Sequence, residues 1–226
     1  MKQFAIKHPG NSRLLLFFAG WGMDERLIDF PIMEGYDCMV CHDYRTLAFD
    51  SSELKNYQSI RVVAWSMGVW VAGRVLSGLC LPWEQKIAFN GTSWPIDDER
   101  GIPVTVFQGT LEGFSATTLA KFRRRMCGSA TALNKFMQSV TARSDRELYE
   151  ELSCLKHAID SAGKEAAMWH WTRAVIGLRD RIFPVSNQLR AWRESGVETV
   201  EHDIAHYDAD VLAGLLGGKE DLWIKA

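Results

Sequence analysis

Uninterrupted runs of apolar residues, separated by turns, form the strongest pattern in the first half of the chain. Residues 14–19 are all Leu, Phe or Ala and lead directly into Gly20-Trp21-Gly22. An apolar run without polar alternation is typical of a strand that is buried on both faces of a sheet. The same pattern predicts further strands at 36–44, 60–65 and 86–91.

A pattern typical of a helix follows the strand predicted at 60–65. Apolar residues between 69 and 76 recur at intervals that place them on one face of a helix. A helix that connects two strands favours a parallel pairing of those strands. The strand pattern resumes at 173–177 and 197–204, with a helix predicted at about 188–194 between them. The sequence therefore predicts an α/β fold with a mostly parallel central sheet flanked by helices.

The segment from about 111 to 167 has a different composition, because it is rich in Ala, Leu, Lys, Arg and Glu and poor in β-branched residues. Breaks near Gly128 and Ser144 divide it into several short helices. Ser144 followed by Glu147 is the pattern of a capping box at a helix start. We therefore expect a helical lid at about 111–167, inserted into one domain that spans residues 1–226.

Composition and charge exclude several classes of function. The chain has 226 residues, of which 47% are apolar, so it can bury one sizeable core. A net charge of −2 gives no general attraction to nucleic acid, and no apolar run is long enough to span a bilayer. The first residues do not resemble a signal peptide. We expect a cytoplasmic protein with neither a nucleic-acid nor a membrane partner.

The cysteines do not predict a disulfide scaffold or a metal site. There are five, an odd number, and they are scattered along the chain. Cys38 and Cys41 lie three residues apart in a predicted strand, where such residues point to opposite faces of the sheet. We expect no bound metal and no cofactor.

The segment Ala64-Trp65-Ser66-Met67-Gly68 is the first candidate for chemistry. A strand that turns sharply into a helix through small-x-Ser-x-Gly exposes the serine hydroxyl above the sheet. Alanine stands where this motif usually has its first glycine, and it is small enough for the turn. An isolated match can also be a capped helix start. The strand before Ser66 and the helix after it favour a nucleophile.

A serine nucleophile needs a general base and a carboxylate that orients this base. In hydrolases with this motif the partners follow in the order Ser, acid, His. Asp180 follows the strand predicted at 173–177, and His206 follows the last strand. Each could also be an ordinary loop residue, and Asp43 and Asp203 are alternative acids. The order and the strand ends favour Asp180 and His206.

The tetrahedral intermediate of ester hydrolysis needs hydrogen-bond donors for its oxyanion. One donor is usually the amide after the nucleophile, which here belongs to Met67, and the second comes from a loop after an early strand. Residues 20–22 form such a loop, and the Trp21 amide is the best candidate within it. A plain glycine turn is the alternative interpretation.

Seven segments together are more specific than the serine motif. They are Phe18-Ala19-Gly20-Trp21-Gly22-Met23-Asp24, His42-Asp43-Tyr44-Arg45, Ala64-Trp65-Ser66-Met67-Gly68-Val69-Trp70, Asn90-Gly91-Thr92, Gly101-Ile102-Pro103, Phe107-Gln108-Gly109-Thr110 and Lys121-Phe122-Arg123-Arg124-Arg125-Met126-Cys127. Over nearly its whole length the chain resembles the BioG-type pimeloyl-[acyl-carrier protein] methyl ester esterases of biotin synthesis, which have an α/β-hydrolase fold.

This resemblance implies a serine carboxylesterase that hydrolyses the methyl ester of pimeloyl-[acyl-carrier protein] and releases methanol. Ser66 would attack the ester, His206 would move the proton, Asp180 would hold the imidazolium, and Trp21 and Met67 would bind the oxyanion. Trp21 and Phe122 are the expected walls for the acyl chain, whereas Trp65, Trp94, Phe107, Phe114 and Met126 are weaker candidates that ordinary core packing also explains.

The resemblance also implies an acidic acyl-carrier protein as partner, because related esterases bind it through lid arginines. This chain offers Arg123, Arg124, Arg125, Arg143 and Arg146, each of which could instead belong to a solvated helix face. Two other functions stay open. One is a small-ester carboxylesterase or an acyl-carrier thioesterase of the same fold, and the other is a non-catalytic binding protein on a hydrolase scaffold.

Overall fold

A seven-stranded sheet forms the centre of the computed structural model, which describes residues 1–163 and 169–223. In chain order the strands are β1 (Lys2–Ile6), β2 (Arg13–Phe18), β3 (Tyr36–His42), β4 (Ser59–Trp65), β5 (Trp83–Phe89), β6 (Arg173–Gly177) and β7 (Glu198–His202). They lie in the order β1-β3-β2-β4-β5-β6-β7. Every neighbouring pair is parallel except β1 with β3, so the predicted mostly parallel sheet is confirmed.

Helices connect and cover these strands. In chain order they are α1 (Met67–Leu76), α2 (Val104–Glu112), α3 (Ala116–Cys127), α4 (Ala130–Gln138), α5 (Asp145–Ala162), α6 (Val185–Glu194) and α7 (Ala209–Gly217). Helix α1 packs on β2 and β4, and α6 packs on β6 and β7. The apolar residues 14–18 of β2, 62–65 of β4 and 174–176 of β6 have almost no exposure, which is why these runs carry no polar alternation. Strand β7 is only partly buried.

Helices α2 to α5 all lie between β5 and β6. The lid boundary predicted at about 111 falls inside α2, and its other boundary at 167 lies outside the described residues. The predicted break at Gly128 is present, because this glycine ends α3 with a φ of 71°. At the start of α5, the Ser144 side chain accepts from the Glu147 amide and the Glu147 carboxylate accepts from the Ser144 amide, as predicted.

Strand β1 was not predicted from the sequence. It is an edge strand that pairs antiparallel with β3, and all five of its residues are exposed or only partly buried. Such a strand has no continuous apolar run to reveal it. Within residues 1–163 and 169–223, no helix is both long and apolar enough to cross a bilayer. The same residues contain no cluster of three or more His, Cys, Asp or Glu suited to a metal ion.

Candidate active site

Ser66 lies at the sharp turn between β4 and α1. Its φ of 59° and ψ of −128° are a strained combination for a residue with a side chain. A Cβ at Gly68 would overlap the Phe18 carbonyl, and one at Gly91 would overlap the carbonyl of Ser66 itself. The serine side chain makes no capping hydrogen bond to α1, so the interpretation as a capped helix start is wrong. The turn directs the hydroxyl toward the loops beyond the strand ends.

Three sequence-predicted residues meet at this end of the sheet. The Ser66 Oγ lies 2.9 Å from the His206 Nε2, and the His206 Nδ1 lies 2.8 Å from the Asp180 Oδ2. The serine follows β4, the aspartate follows β6 and the histidine follows β7. All three are buried. With Nδ1 protonated and bound to the carboxylate, Nε2 is free to accept the serine proton.

Asp180 is held by donors other than the histidine. Its Oδ1 accepts from the amides of Ile182 and Phe183 at 2.7 and 3.0 Å, and its Oδ2 accepts from the Gln188 Nε2 at 3.0 Å. These bonds fix the orientation of the carboxylate, and therefore that of the imidazole. The fully buried Gln188 on α6 was not singled out in the sequence.

The loop that carries His206 is tied to the strand ends by its backbone. The His206 carbonyl accepts from the Trp65 Nε1 at 3.0 Å and from the Asn90 Nδ2 at 2.9 Å. The Asn90 Oδ1 in turn accepts from the Gly177 amide at 2.6 Å, so this side chain joins the ends of β5 and β6 to the histidine loop. The ring of Phe183 stacks on the imidazole at a centroid distance of 5.9 Å.

The backbone amides of Trp21 and Met67 have no hydrogen-bond acceptor among the described residues. Both residues line the same cavity as Ser66 and His206. A buried amide without an acceptor is costly unless a ligand or water satisfies it. The two amides are therefore available to an oxygen atom that carries negative charge beside the serine.

The cavity beside Ser66 is mainly apolar. It measures about 580 Å³, including space open to solvent. The expected walls Trp21 and Phe122 line it and pack edge to face at a centroid distance of 5.1 Å. Its other apolar walls are Trp65, Met67, Ile102, Val106, Phe107, Met126, Leu152 and Ile182.

Two aromatic residues suggested as walls lie elsewhere. Phe114 packs against Trp21 in a T-shaped arrangement at a centroid distance of 6.2 Å but does not line the cavity. Trp94 lies in a separate cleft, where its ring packs under the guanidinium of Arg100 at 4.6 Å. For these two weaker candidates the structure favours the alternative interpretation, which is packing away from the cavity.

The predicted carrier-binding arginines differ in environment. Arg124 and Arg125 are exposed on α3, and Arg125 also lines the cavity. Arg123 is partly buried, and this burial lowers its pKa. Arg146 is exposed and pairs with Glu150. A further arginine on the cavity wall, Arg181, follows Asp180 directly and was not predicted.

Arg143 is not a surface residue. Its side chain is only 5% exposed, and its guanidinium pairs with Glu151 at 2.7 Å and with Asp43 at 3.0 Å. Since its charge is enclosed by these carboxylates, the expectation that Arg143 faces a carrier protein is wrong. The alternative acids are also engaged elsewhere, because Asp43 pairs with Arg143 and Arg45, and Asp203 pairs with Arg179.

Comparison with known proteins adds to this geometry. The model of a family described as pimeloyl-ACP methyl esterase BioG matches residues 1–212. A crystal structure of BioG from Haemophilus influenzae aligns with a TM-score of 0.87 at 36% identity, over 96% of this chain and 99% of that one. An α/β hydrolase enzyme from a Medee basin deep-sea metagenome library aligns with a TM-score of 0.62 at 12% identity, over 95% and 92%. The last similarity shows the fold alone.

A relative from Bacteroides fragilis carries a different name. It is called malonyl-[acyl-carrier protein] O-methyltransferase and is 46% identical to this chain over 204 residues. The match covers 90% of this chain but 41% of that protein, so the chain spans less than half the length of this relative. Together, the family match and the structural similarities show that the chain is an α/β hydrolase and belongs to the BioG family of pimeloyl-[acyl-carrier protein] methyl esterases.

Proposed function

We propose that this protein is a serine esterase that hydrolyses the methyl ester of pimeloyl-[acyl-carrier protein], yielding methanol and a carrier-bound acid. One observation carries this proposal, namely the 2.9 Å contact between the Ser66 Oγ and the His206 Nε2 at the wall of an apolar cavity. The family supplies the substrate class. A serine hydroxyl is nucleophilic at neutral pH only when a base of this kind is within reach.

In the acylation step, the Ser66 Oγ attacks the ester carbonyl while the His206 Nε2 takes the hydroxyl proton. The carbonyl oxygen becomes an oxyanion and accepts from the Trp21 and Met67 amides. When this intermediate collapses, the bond to the methoxy group breaks, and the imidazolium gives its proton to the leaving methanol. Asp180 stabilises the imidazolium while it exists.

Water completes the cycle. His206 takes a proton from a water molecule that attacks the acyl-serine, and the same two amides accept the second oxyanion. Collapse then restores the Ser66 hydroxyl and leaves a free carboxylate on the acyl chain. An apolar cavity solvates this charge poorly, which favours departure of the acid. The uncharged ester that enters has no such penalty, so the cavity favours substrate over product.

The name of the Bacteroides fragilis relative does not conflict with an esterase. That protein extends well beyond the segment matched here. We propose that its matched part is a hydrolase like this chain, and that the methyl transfer in its name belongs to the remainder. An enzyme that masks a carboxylate as a methyl ester and one that removes the ester perform complementary steps on carrier-bound chains.

The substrate can be tested directly with pimeloyl-carrier methyl ester. We expect methanol to be released and the carrier to gain a free carboxylate while it keeps its acyl chain, as measured by intact mass. Release of carrier without the acyl chain would identify a thioesterase. Hydrolysis restricted to small soluble esters would identify a general carboxylesterase, and failure of a fluorophosphonate to label Ser66 would favour the non-catalytic binding protein.

Carrier recognition predicts a separable electrostatic effect. Arg125 and Arg181 line the cavity, and no described carboxylate pairs with either of them. Charge reversal by Arg125→Glu is expected to lower kcat/KM for the carrier-bound ester by roughly 3- to 30-fold at low salt, because rim charges mainly assist encounter and orientation. Steady-state kinetics at two salt concentrations measure this change.

The control is Arg74→Glu at the other end of α1 from the serine, where the side chain is also exposed. This variant should behave as the wild type toward both substrates. Arg125→Glu should lower kcat/KM for p-nitrophenyl acetate much less than kcat/KM for the carrier-bound ester. An equal loss on the small ester would contradict a role in carrier recognition.

A further inference from the structure

We infer that Glu151 on α5, held by Arg143, is a positioning residue that fixes the loop carrying the Trp21 amide. The inference rests on the proposed function, since it assigns to this carboxylate the placement of an oxyanion donor. Neither residue contacts the space where the substrate reacts. Both act through the backbone of the loop after β2.

The Glu151 carboxylate receives three hydrogen bonds in the interior. Its Oε2 accepts from the Gly22 amide at 3.1 Å and from the Arg143 Nη1 at 2.7 Å. Its Oε1 accepts from the Tyr44 amide at 2.9 Å. The residue is completely buried. One side chain from the helical insertion therefore holds the loops that follow both β2 and β3.

The Trp21 amide lies between two such attachments to α5. The Trp21 indole Nε1 donates to the Leu148 carbonyl at 2.9 Å, and the next amide along the chain donates to Glu151. Gly22 adopts a φ of 78°, and a Cβ placed there would lie 3.7 Å from the Leu148 side chain. The peptide that contains the Trp21 N–H is held too, because its Gly20 carbonyl accepts from the Met23 amide at 3.4 Å. With the Trp21 side chain and the peptides on both sides of it held, the direction of the Trp21 N–H is fixed as well.

A carboxylate suits this position better than a neutral amide. Two backbone donors and a guanidinium converge on it, whereas a glutamine offers one acceptor oxygen and would turn its NH₂ toward a donor. Burial raises the pKa of Glu151, and Arg143 opposes that shift. Arg143 is itself anchored by Asp43 at 3.0 Å, so its charge is also paired on both sides.

The test compares Glu151→Gln with Glu150→Gln. The second variant is the matched control, because Glu150 is the neighbour on the same helix. It pairs with Arg45 and Arg146, away from the loop that carries Trp21. Glu151→Gln should lower kcat by about 10- to 100-fold with KM nearly unchanged, somewhat less than the loss of an oxyanion donor. The factor should be the same for p-nitrophenyl acetate and for the carrier-bound ester.

A boronic acid that forms a tetrahedral adduct with Ser66 gives a second readout. Its inhibition constant should rise by the factor by which kcat falls, since both report on oxyanion binding. Glu151→Asp keeps the charge of the carboxylate but moves it away from the backbone donors. It serves as the test variant if Glu151→Gln does not fold, and it should also lower kcat with KM nearly unchanged. All kinetics are measured well below the Tm of each variant.

Several results would overturn the inference. One is a folded Glu151→Gln or Glu151→Asp protein with a lowered Tm but wild-type kcat and boronate affinity, which would make the pair purely structural. Another is an equal loss of kcat in Glu150→Gln. A loss confined to the carrier-bound ester would assign Glu151 to carrier recognition instead. Failure of the proposed function would look different, because the wild-type protein itself would then fail to release methanol from the carrier-bound methyl ester.

Discussion

Ser66→Ala is expected to lower kcat for the carrier-bound methyl ester by roughly 10⁴- to 10⁶-fold, as the loss of a serine nucleophile does in other triads. The variant keeps the cavity and the Trp21 and Met67 amides, but it has no atom that can form the acyl intermediate. Methanol release under single-turnover conditions measures the loss. Labelling by a fluorophosphonate should also disappear.

Ser66→Gly distinguishes the effect of this residue on activity from its effect on stability. Glycine adopts a positive φ with little strain, so this variant should be as inactive as Ser66→Ala but more stable than the wild type by about 1 kcal/mol. Thermal or urea unfolding measures this gain. Substantial turnover in either variant would refute a serine nucleophile.

Asp180→Asn is expected to lower kcat by about 10⁴-fold. With its NH₂ at the Oδ2 position, the asparagine would donate to the His206 Nδ1 and favour the tautomer that has its proton on Nε2. That tautomer cannot take the serine proton. With its NH₂ at the Oδ1 position, it would oppose the amides of Ile182 and Phe183, which donate there at 2.7 and 3.0 Å.

The matched control is Asp203→Asn, because Asp203 is an exposed acid near the same end of the sheet and pairs with Arg179. Its kcat should stay within about twofold of the wild type. The pH dependence of kcat/KM for both variants measures the state of the base. If Asp203→Asn lost activity and Asp180→Asn kept it, the assignment of the acid would be reversed.

Buried strands were predictable because burial on both faces of a sheet requires an uninterrupted run of apolar residues. Strands β2 and β4 are enclosed on both faces over residues 14–18 and 62–65, so these positions are all apolar and the run stands out. The edge strand β1 has no such requirement, and its mixed residues gave no signal. Both ends of β6 were predicted correctly, and the other strand ends differ from the prediction by up to three residues, because the last residues of a run depend on turns that the apolar pattern does not encode.

The proposed catalytic residues were easier to find in the sequence than the residues that hold them in place. Ser66, Asp180 and His206 follow predicted strands in a fixed order, and each carries a distinctive group. Glu151 has no local distinction, since Glu147 and Glu150 lie on the same helix and only the tertiary structure separates their partners.

For a related reason Gln188 was not singled out, and Asn90 was quoted only as part of Asn90-Gly91-Thr92, with no role assigned. Asn90 bonds backbone groups of distant segments, and Gln188 bonds Asp180 together with the Phe183 carbonyl. Backbone groups are the same at every residue, so a sequence pattern cannot name such partners. These contacts become visible only when the strand ends and loops are placed side by side.

The residues of the candidate site lie far apart in the sequence, and this separation affects how the protein folds. Ser66 and His206 are 140 positions apart, and Gly22 and Glu151 are 129 apart. Contacts of such long range form late, after the entropy of closing large loops has been overcome. No short contiguous fragment contains Ser66, Asp180 and His206 together. Recovery of turnover after dilution from denaturant should therefore follow the slowest refolding phase. The rate of hydrolysis can then be used to monitor the completion of folding.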